Sequence, residues 1–409
     1  MPRYAEIRPA AIAQCSTSED VAEVLAEARR SGLQVAPRSG GHCFAGRSST
    51  TGIVLDVSPM SSVEVSEGVA CVGAGVRLDE LYDVLDAVGL TIPAGCGPTV
   101  GIAGLTLGGG IGLLGRSHGL TCDSLLAAEV VLADGRIITC SDNRHADLYW
   151  ALRGAGGSQF GVVTQLWLST IPSPAATRFH ITWPRADAVA VIDAWQHWAP
   201  YAPDELNANV RVAAAEVHLF GLTTGELVVP VDASPTSAVV EQQMPYRQLK
   251  RSFVGLGADP DAADRLEVSK SEFFSQPIPT ATLEALVNSS PGEVNFTPMG
   301  GAYNRVAADA TAFAHRDAAF LLELVAGAPV PSGEAALQAT ESQLRANLAE
   351  VFAPLDGSGR VYPNFPDPTL GDALTAYHGE NLARLREIKQ AYDPDGFFSF
   401  PQSLSPVAS

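Results

Sequence analysis

The chain has 409 residues, of which 46% are hydrophobic and 17% charged, and it carries a formal net charge of −19. Its length favours two or three domains, two domains around a cleft being the simplest arrangement, and its composition excludes a disordered chain. The acidic charge disfavours nucleic acids and anionic membranes as binding partners, so we expect the protein to act on a small molecule. The sequence has neither an apolar run long enough to span a bilayer nor an apolar signal core, so we expect a cytoplasmic protein.

The first predicted element is a helix, because Thr17 and Asp20 form a possible capping box and Gly32 ends the apolar stripe that follows. A strand over residues 33–38 then leads into a glycine turn, which places His42 directly after two glycines. The next patterns predict strands over 52–57 and 69–72 and a helix over 78–88.

The segment that follows, IPAGCGPTVGIAGLTLGGGIGLLGR at 92–116, contains nine glycines and is too glycine-rich for an ordinary helix or strand. Amides in tight glycine turns form concave, positive nests that hold phosphate without basic side chains. This acidic chain can therefore bind a nucleotide cofactor here. Gly110, Gly112 and Gly115 satisfy G-x-G-x-x-G, but this nicotinamide signature is weak because RSHG at 116–119 interrupts the helix that it needs.

The rest of the chain predicts a change of domain at IPSP, residues 171–174, where two prolines interrupt the chain and glycine density falls. We divide the chain into residues 1–170, 171–358 and 359–409. The middle part mixes strands and helices, which favours an α+β segment with an antiparallel sheet. The further predicted elements are a hairpin over 126–140 turning at Asp134-Gly135, strands over 161–168, 179–183 and 320–325, and helices over 146–152, 189–198, 335–351 and 374–392.

All six cysteines lie in the first 140 residues, and none forms a Cys-x-x-Cys pair. That spacing gives no sign of zinc binding or dithiol exchange. We therefore expect no metal site and mostly buried, reduced thiols. The sequence leaves the oligomeric state open.

Three blocks occur in a characteristic order: RSGGH at 38–42, PAGCGPTVGIAGLTLGGGIGLLGR at 93–116, and the tail, which contains YPNFPD and then YHGENLARLREIKQAYDPDGFFSFPQS. Together with KSEFF at 270–274 and residues 300–317, they resemble the berberine bridge enzyme-like FAD oxidases of the vanillyl-alcohol oxidase and p-cresol methylhydroxylase group. The resemblance implies a two-domain α+β fold. An FAD domain of the p-cresol methylhydroxylase type, formed by residues 1–170 and the tail, is capped by a substrate domain whose antiparallel sheet covers the flavin.

The resemblance also implies how FAD is held. His42 matches the histidine that the family joins covalently to the flavin 8α-methyl group, a role that suits a neutral imidazole nucleophile; the alternative is a loop histidine bonded to a backbone carbonyl. Some members add a link from a cysteine at the position of Gly97, but here Cys96 is one residue earlier, so we predict a single link through His42. The implied FAD contacts are Arg38, Ser39, Gly40, Gly41, His42, Thr99, Val100, Gly101, Gly104, Gly108, Gly112, Leu113, Asp123, Gly157, Gly161, Val163 and Asn364.

The implied reaction is hydride transfer from substrate carbon to flavin N5, followed by reoxidation by O2. Val100 matches a position near flavin C4a, and its small side chain favours access of O2 and an oxidase that releases H2O2. A dehydrogenase or internal monooxygenase that passes electrons elsewhere is an alternative, as is a catalytically silent flavin-binding module.

The identity of the proton acceptor is where this sequence departs from the family pattern. Many relatives carry tyrosines where this chain has Phe44 and Phe365, which we place in the substrate pocket. The remaining candidates are Tyr362, which can instead bond to backbone or flavin, and Glu323, which is one residue out of step with a glutamate of some relatives and would face the other side of its strand. His180 and His218 also fall on strands of the substrate domain. The two missing phenols disfavour sugar oxidation, in which an alcohol proton must be removed, and favour a small, largely apolar substrate: an amine, an alcohol or an aromatic natural product.

Overall fold

The computed structural model describes residue 4 and residues 6–231, 233–257 and 265–406, with no side-chain description over 254–257. Two sheets build the N-terminal part. The first is parallel, in the order β1-β3-β2, and consists of β1 (Ala11–Gln14), β2 (Val35–Arg38) and β3 (Ile53–Asp56). The second is antiparallel, in the order β4-β5-β9-β7-β8, and consists of β4 (Val63–Ser66), β5 (Val69–Gly73), β7 (Leu125–Val131), β8 (Ile137–Ser141) and β9 (Val162–Ser169).

Helices cover these sheets and confirm the first sequence prediction. Thr17 and Asp20 form the expected capping box at the start of α1, and Gly32 ends that helix with a left-handed φ of 64°. Within the glycine-rich segment, however, residues 102–107 do form a helix, so the prediction of a wholly non-helical segment was wrong. The helices of this part are α1 (Ser18–Ser31), α2 (Leu78–Asp86), α3 (Ile102–Leu107), α4 (Gly115–His118) and α5 (Ala146–Ala155).

A short pair, β6 (Leu90–Thr91) with β10 (Ile171–Pro172), leads into a seven-stranded sheet in which every pairing is antiparallel. Its order is β14-β11-β13-β12-β16-β17-β15. The antiparallel sheet predicted for this part is confirmed. Its strands are β11 (Ala175–Pro184), β12 (Leu206–Val212), β13 (Glu216–Thr223), β14 (Ser237–Pro245), β15 (Arg265–Phe274), β16 (Glu293–Pro298) and β17 (Phe320–Pro329).

One face of this sheet packs on helices and forms a core of its own. Val210, Leu219, Phe296 and Leu322 are almost fully buried there against helix residues such as Trp195. Side chains alternate along each strand, so the residues between these positions face the other way, towards the N-terminal part. The helices beside and beyond the sheet are α6 (Ala188–Trp198), α7 (Tyr246–Gly257), α8 (Thr280–Ser289), α9 (Ala302–Arg305) and α10 (Glu334–Phe352).

The tail returns to the N-terminal sheets. Leu385, Ile388, Phe398 and Leu404 are buried in the same core as the strands of the five-stranded sheet. The single helix predicted over 374–392 is instead two helices, α11 (Ala373–His378) and α12 (Leu382–Tyr392), because Gly379 takes a φ of +49° that breaks helical geometry. No helix among the described residues is long and apolar enough to cross a membrane.

Candidate functional site

Two neighbouring cavities lie beside the glycine-rich loops, and Phe44 lines both. The first, here called the glycine cavity, is bordered by residues 37–48, by α3 and by the loops 154–159 and 363–366. The second, the sheet cavity, has a volume of about 550 Å³ and lies between residues 95–96 and 111–113 on one side and the sheet on the other. A molecule bound in one cavity can therefore meet a molecule bound in the other at Phe44.

The glycine cavity exposes glycine backbone of the kind that can hold the phosphates of a nucleotide cofactor. A Cβ atom on Gly40 would lie 2.3 Å from the amide nitrogen of Gly101, so only glycine allows these two backbones to meet. Gly104 and Gly157 have no atom within 4 Å of such a Cβ and leave backbone exposed to open space. Glycine backbone suits a phosphate-bearing ligand. Ten implied FAD positions line this cavity: Ser39, Gly40, Gly41, His42, Val100, Gly101, Gly104, Gly108, Gly157 and Asn364.

His42 is exposed on the wall of the glycine cavity. Its Nε2 atom lies 2.8 Å from the hydroxyl oxygen of Thr99, a second implied position. Desolvation lowers the pKa of His42, with the positive charges of the N-terminus and Arg77 adding to the effect. The imidazole is therefore neutral at physiological pH, and its Nε2 atom is in contact with Thr99.

The other implied FAD positions are not among the residues that line the glycine cavity. The Arg38 guanidinium donates hydrogen bonds to the Ser48 carbonyl (2.9 Å) and the Ser49 hydroxyl (3.2 Å). Asp123 is ion-paired with the buried Arg316 at 2.6 Å. Val163 is a buried residue of β9, and a Cβ on Gly161 would lie 2.6 Å from the side chain of Val130. Gly112 and Leu113 line the sheet cavity instead.

A polar row of side chains crosses the sheet where it faces the N-terminal part. Cross-strand pairing aligns His218, Arg211, Asn295, Glu323 and Ser271 on five adjacent strands. Arg211, Asn295 and Glu323 line the sheet cavity. Adjacent strands are about 4.8 Å apart, so Arg211 and Glu323 stand roughly 10 Å apart with Asn295 between them. This row offers a cation, an amide and a carboxyl group to one ligand.

The sheet cavity has both apolar and polar walls, whereas the sequence predicts a largely apolar pocket lined by phenylalanines. Phe44, Phe220, Phe253 and Phe296 line it and Phe365 does not, while most of the lining residues on the sheet side are polar. The reason is that strand residues that alternate with the core positions are amides and charges. The polar side chains lining it are Asn207, Asn209, Arg211, Arg265, Glu267, Ser269, Glu293, Asn295, Thr297 and Glu323.

Glu323 faces this cavity, so the reversed face expected from its one-residue offset was wrong. Burial raises the pKa of Glu323 to about 8; a hydrogen bond with Ser269 opposes the rise, and repulsion by Glu293 and Glu267 adds to it. A carboxyl group with such a pKa exchanges its proton close to neutral pH. Of the two proposed proton acceptors, Glu323 is the one that lines a cavity.

Tyr362 lies outside the linings of both cavities and is almost fully buried. Its hydroxyl oxygen accepts hydrogen bonds from the amides of Gly110 (3.0 Å) and Ile111 (3.1 Å) and from Asn364 Nδ2 (3.1 Å). Desolvation raises its pKa to about 12. Tyr362 therefore ties the glycine-rich segment to the tail.

The two missing phenols correspond to a stacked pair of rings. Phe44 and Phe365 lie 5.4 Å apart between ring centres, at an interplanar angle of 24°. Both rings line the glycine cavity, and Phe44 also lines the sheet cavity. Neither ring can accept a proton, so they provide apolar contact at the junction.

The two histidines predicted on substrate-domain strands lie side by side. His180 Nε2 is 3.2 Å from His218 Nδ1, and neither residue lines the sheet cavity. Desolvation lowers the pKa of both, and His218 adds repulsion to His180. The two histidines therefore contact each other and contribute no side chain to the lining of the sheet cavity.

Cys96 and His42 line different cavities, and this separation is consistent with the predicted single flavin link through His42. Cys96 lines the sheet cavity and His42 lines the glycine cavity. Burial raises the pKa of the Cys96 thiol, with Lys250 opposing the rise, so the thiolate that would attack a flavin is disfavoured.

Sequence reasoning missed most of the polar sheet residues. Asn207, Asn209 and Arg211 occupy alternate positions of β12, and Glu293 and Asn295 do so in β16. A period-two pattern of polar residues between buried ones was the available signal. It identifies a solvated or ligand-facing side of a strand without saying which of the two.

Comparison with known proteins gives two family matches: FAD binding domain over residues 9–141, and berberine and berberine like over residues 361–405. The uncharacterized FAD-linked oxidoreductase YgaK of Bacillus subtilis is 34% identical, with 100% of this chain and 92% of YgaK covered. The glucooligosaccharide oxidase of Sarocladium strictum is 32% identical, with 98% and 88% covered. The solved structure of Physcomitrella patens BBE-like 1 superposes with a TM-score of 0.88 at 27% identity, with 99% and 94% covered.

Proposed function

This chain belongs to the berberine bridge enzyme-like FAD-linked oxidoreductases, as its sequence predicts, and we propose that it is an oxidase of a polyhydroxylated, sugar-like substrate. The observation that carries the proposal is Glu323, a carboxyl group of raised pKa on the wall of a polar cavity beside the glycine cavity. An alcohol must lose a proton as it loses hydride, and Glu323 is the group suited to take it.

The polar lining supports a hydroxyl-rich substrate over the apolar one first expected. Amides and paired charges bind hydroxyl groups by donating and accepting hydrogen bonds, and the sheet cavity has three asparagines of this kind, Asn207, Asn209 and Asn295. Relatives of this chain include oxidases named for glucooligosaccharides and xylooligosaccharides. Successive cross-strand rows are about 7 Å apart, so a substrate can extend from the row of Glu323 to the row of Glu293.

In this proposal, the residues of the glycine cavity hold the cofactor and those of the sheet cavity bind the substrate. When bound, FAD supplies the hydride acceptor at N5 and returns its electrons to O2. Glu323 takes the hydroxyl proton, while Asn295 beside it orients the substrate and Arg211 binds a more distant hydroxyl. The Phe44 and Phe365 rings exclude water at the junction. Val100 lines the glycine cavity and leaves room for O2.

The same proposal includes a single covalent link between FAD and His42, none through Cys96. The link replaces one C–H bond of the 8α-methyl group with a C–N bond, and the two electrons and two protons released convert O2 to H2O2. The neutral imidazole and its contact with Thr99 support this attachment.

We also propose that the chain divides into domains at residues 1–170, 171–358 and 359–409. The separate hydrophobic cores and the return of the tail to the N-terminal sheets support this division.

The proposed function is tested by mixing the flavin-loaded protein anaerobically with a disaccharide bearing a free reducing end, an aliphatic amine and a phenol. We expect only the disaccharide to bleach the flavin, and readmitted air to restore the colour with one H2O2 per turnover. A disaccharide with a methylated anomeric oxygen is the matched control and should be inert. Bleaching of the flavin by the amine or the phenol alone would contradict the proposed sugar-like substrate class. Reoxidation in air that is far slower than turnover would contradict the proposal that the enzyme is an oxidase.

The flavin link is tested with His42→Ala. Acid precipitation of the wild-type protein should give a yellow pellet whose digest contains flavin on the peptide with His42, whereas His42→Ala should give a colourless pellet and free FAD. Cys96→Ser should behave as the wild type. A yellow pellet from His42→Ala would show that attachment lies elsewhere.

A further inference from the structure

A lysine with no described role, Lys250, reaches from α7 of the sheet part into the wall of the sheet cavity. Its side chain is almost completely buried. Its Nζ atom donates hydrogen bonds to the carbonyl oxygens of Ala94 (2.6 Å) and Gly95 (2.9 Å), and it lies 3.6 Å from the centre of the Tyr82 ring. These three groups belong to the N-terminal part, so Lys250 connects the two parts of the chain.

The carbonyl groups that Lys250 binds belong to the wall that faces the substrate. Gly95 and Cys96 line the sheet cavity, as does Gly112. A Cβ atom on Gly112 would lie 2.4 Å from the Ala94 oxygen, so these two stretches of backbone are in direct contact. Any shift of the Ala94–Gly95 backbone therefore moves both stretches that form the cavity wall opposite Glu323.

The setting of Lys250 differs from that of the other buried lysine, Lys389, which is paired with Asp393 at 2.6 Å. Over the described ranges, no carboxylate pairs with Lys250. The titratable and charged groups around it are Tyr82, Tyr246, Cys96 and Arg247, and Arg247 is neutralised by Asp79 and Asp83. Burying an ammonium group without a counter-ion is costly, so ordinary packing does not account for a lysine here.

We propose that Lys250 is a positioning residue of the oxidation: it holds the Ala94–Gly95 backbone, and with it the wall formed by Gly95, Cys96 and Gly112, at the spacing that the substrate requires. This inference rests on the proposed function of the sheet cavity. Desolvation lowers the pKa of Lys250 to about 7, and its neutral amine still has two N–H donors for two carbonyls. The contact therefore persists whether or not the lysine is charged.

The first test compares steady-state kinetics of Lys250→Met and Lys250→Arg with the wild type. Methionine fills the space but leaves the Ala94 carbonyl without the lysine donor and the Gly95 carbonyl with the Tyr82 hydroxyl alone, and we expect KM to rise about 10- to 100-fold. The rate of flavin reduction at saturating substrate should stay within about threefold, and Lys250→Arg should recover most of the loss. Arg251→Met, an exposed position on the same helix, is the matched control and should equal the wild type.

Tyr82→Phe gives a milder change at the same wall. The Tyr82 hydroxyl donates to the Gly95 oxygen at 2.7 Å, so removing it should raise KM in the same direction by less. This variant keeps the inference testable should Lys250→Met fold poorly. Unchanged KM in folded, flavin-loaded Lys250→Met and Tyr82→Phe would overturn the proposal, as would a loss of activity that follows only the loss of flavin content.

A second readout needs no substrate. Amide hydrogen exchange of the peptide covering residues 93–97 should be at least about tenfold faster in Lys250→Met than in the wild type, with no change in Arg251→Met. Unchanged exchange would overturn the proposal. If the wild type oxidises no polyhydroxylated compound while exchange responds as expected, the proposed function fails and the positioning role of Lys250 stands.

Discussion

Glu323→Gln should lower kcat/KM by about 100- to 10,000-fold, the usual contribution of a positioned general base. Glutamine keeps the size and hydrogen-bonding capacity of the side chain on the cavity wall but cannot accept a proton. Flavin content and folding should be unchanged, because removing a carboxyl group that is largely protonated at neutral pH removes little charge from the fold. The measurement is anaerobic flavin reduction with the substrate that bleaches the wild type.

The pH profile gives a sharper form of the same result. The base must be ionised to act, and the pKa of Glu323 is about 8, so wild-type kcat/KM should rise with pH and level off above about 8. In Glu323→Gln this rise of kcat/KM with pH should be absent, and kcat/KM should be low at every pH. A variant that retains the rise would assign it to another group and remove Glu323 from the role of base.

Glu293→Gln is the control for this experiment. Glu293 lines the same cavity one cross-strand row away from Glu323 and is ion-paired with Arg211 at 3.6 Å. It is a binding group at the far end of the substrate, so its loss should raise KM about tenfold or less and leave the rise of kcat/KM with pH in place. Equal losses in Glu293→Gln and Glu323→Gln would indicate that both act through the charge of the cavity.

The position of Glu323 also shows where sequence reasoning reached its limit. In β17, Phe320, Leu322 and Leu324 are buried on the helix side, while Leu321 is also buried on the other side. A strand buried on both faces has no clear alternation, so the side that Glu323 faces cannot be read from its neighbours. The one-residue offset in spacing was misleading because spacing between motifs does not fix the register of a strand.

Local signals were more reliable because they depend on few residues. The capping box of Thr17 and Asp20 and the Asp134-Gly135 turn each specify one backbone geometry, and both elements form as predicted. The ordered blocks around His42 and Tyr362 likewise identified the family. Contacts such as Lys250 with Ala94 join residues 156 positions apart, and no local pattern encodes them.

The polar cavity follows from how two different surfaces meet. The glycine cavity is formed mainly by loops and α3, whereas the sheet cavity takes most of its lining from strands. Each strand there contributes one residue to each row, and rows combine residues far apart in the chain, such as Arg211 and Glu323.

Asp393→Asn is expected to destabilise the tail and the N-terminal sheets by about 3–5 kcal/mol, the usual effect of breaking a buried ion pair from one side. Lys389 and Asp393 are both fully buried, and the ammonium group also donates to the carbonyls of Gln159 (2.5 Å) and Phe398 (2.8 Å). Asparagine retains hydrogen bonding but leaves the lysine charge without a counter-ion. Denaturant-induced unfolding, monitored by the release of flavin, would measure the loss of stability.

Glu27→Gln provides the comparison for that loss, because Glu27 and its partner Arg30 are both largely exposed, so the change should leave the unfolding midpoint almost unchanged. The buried pair joins α12 to the loop at Gln159, which lines the glycine cavity. Asp393→Asn should therefore release flavin from a His42→Ala background at lower denaturant than His42→Ala alone. Equal midpoints for the two proteins would show that the tail does not hold the cofactor site closed.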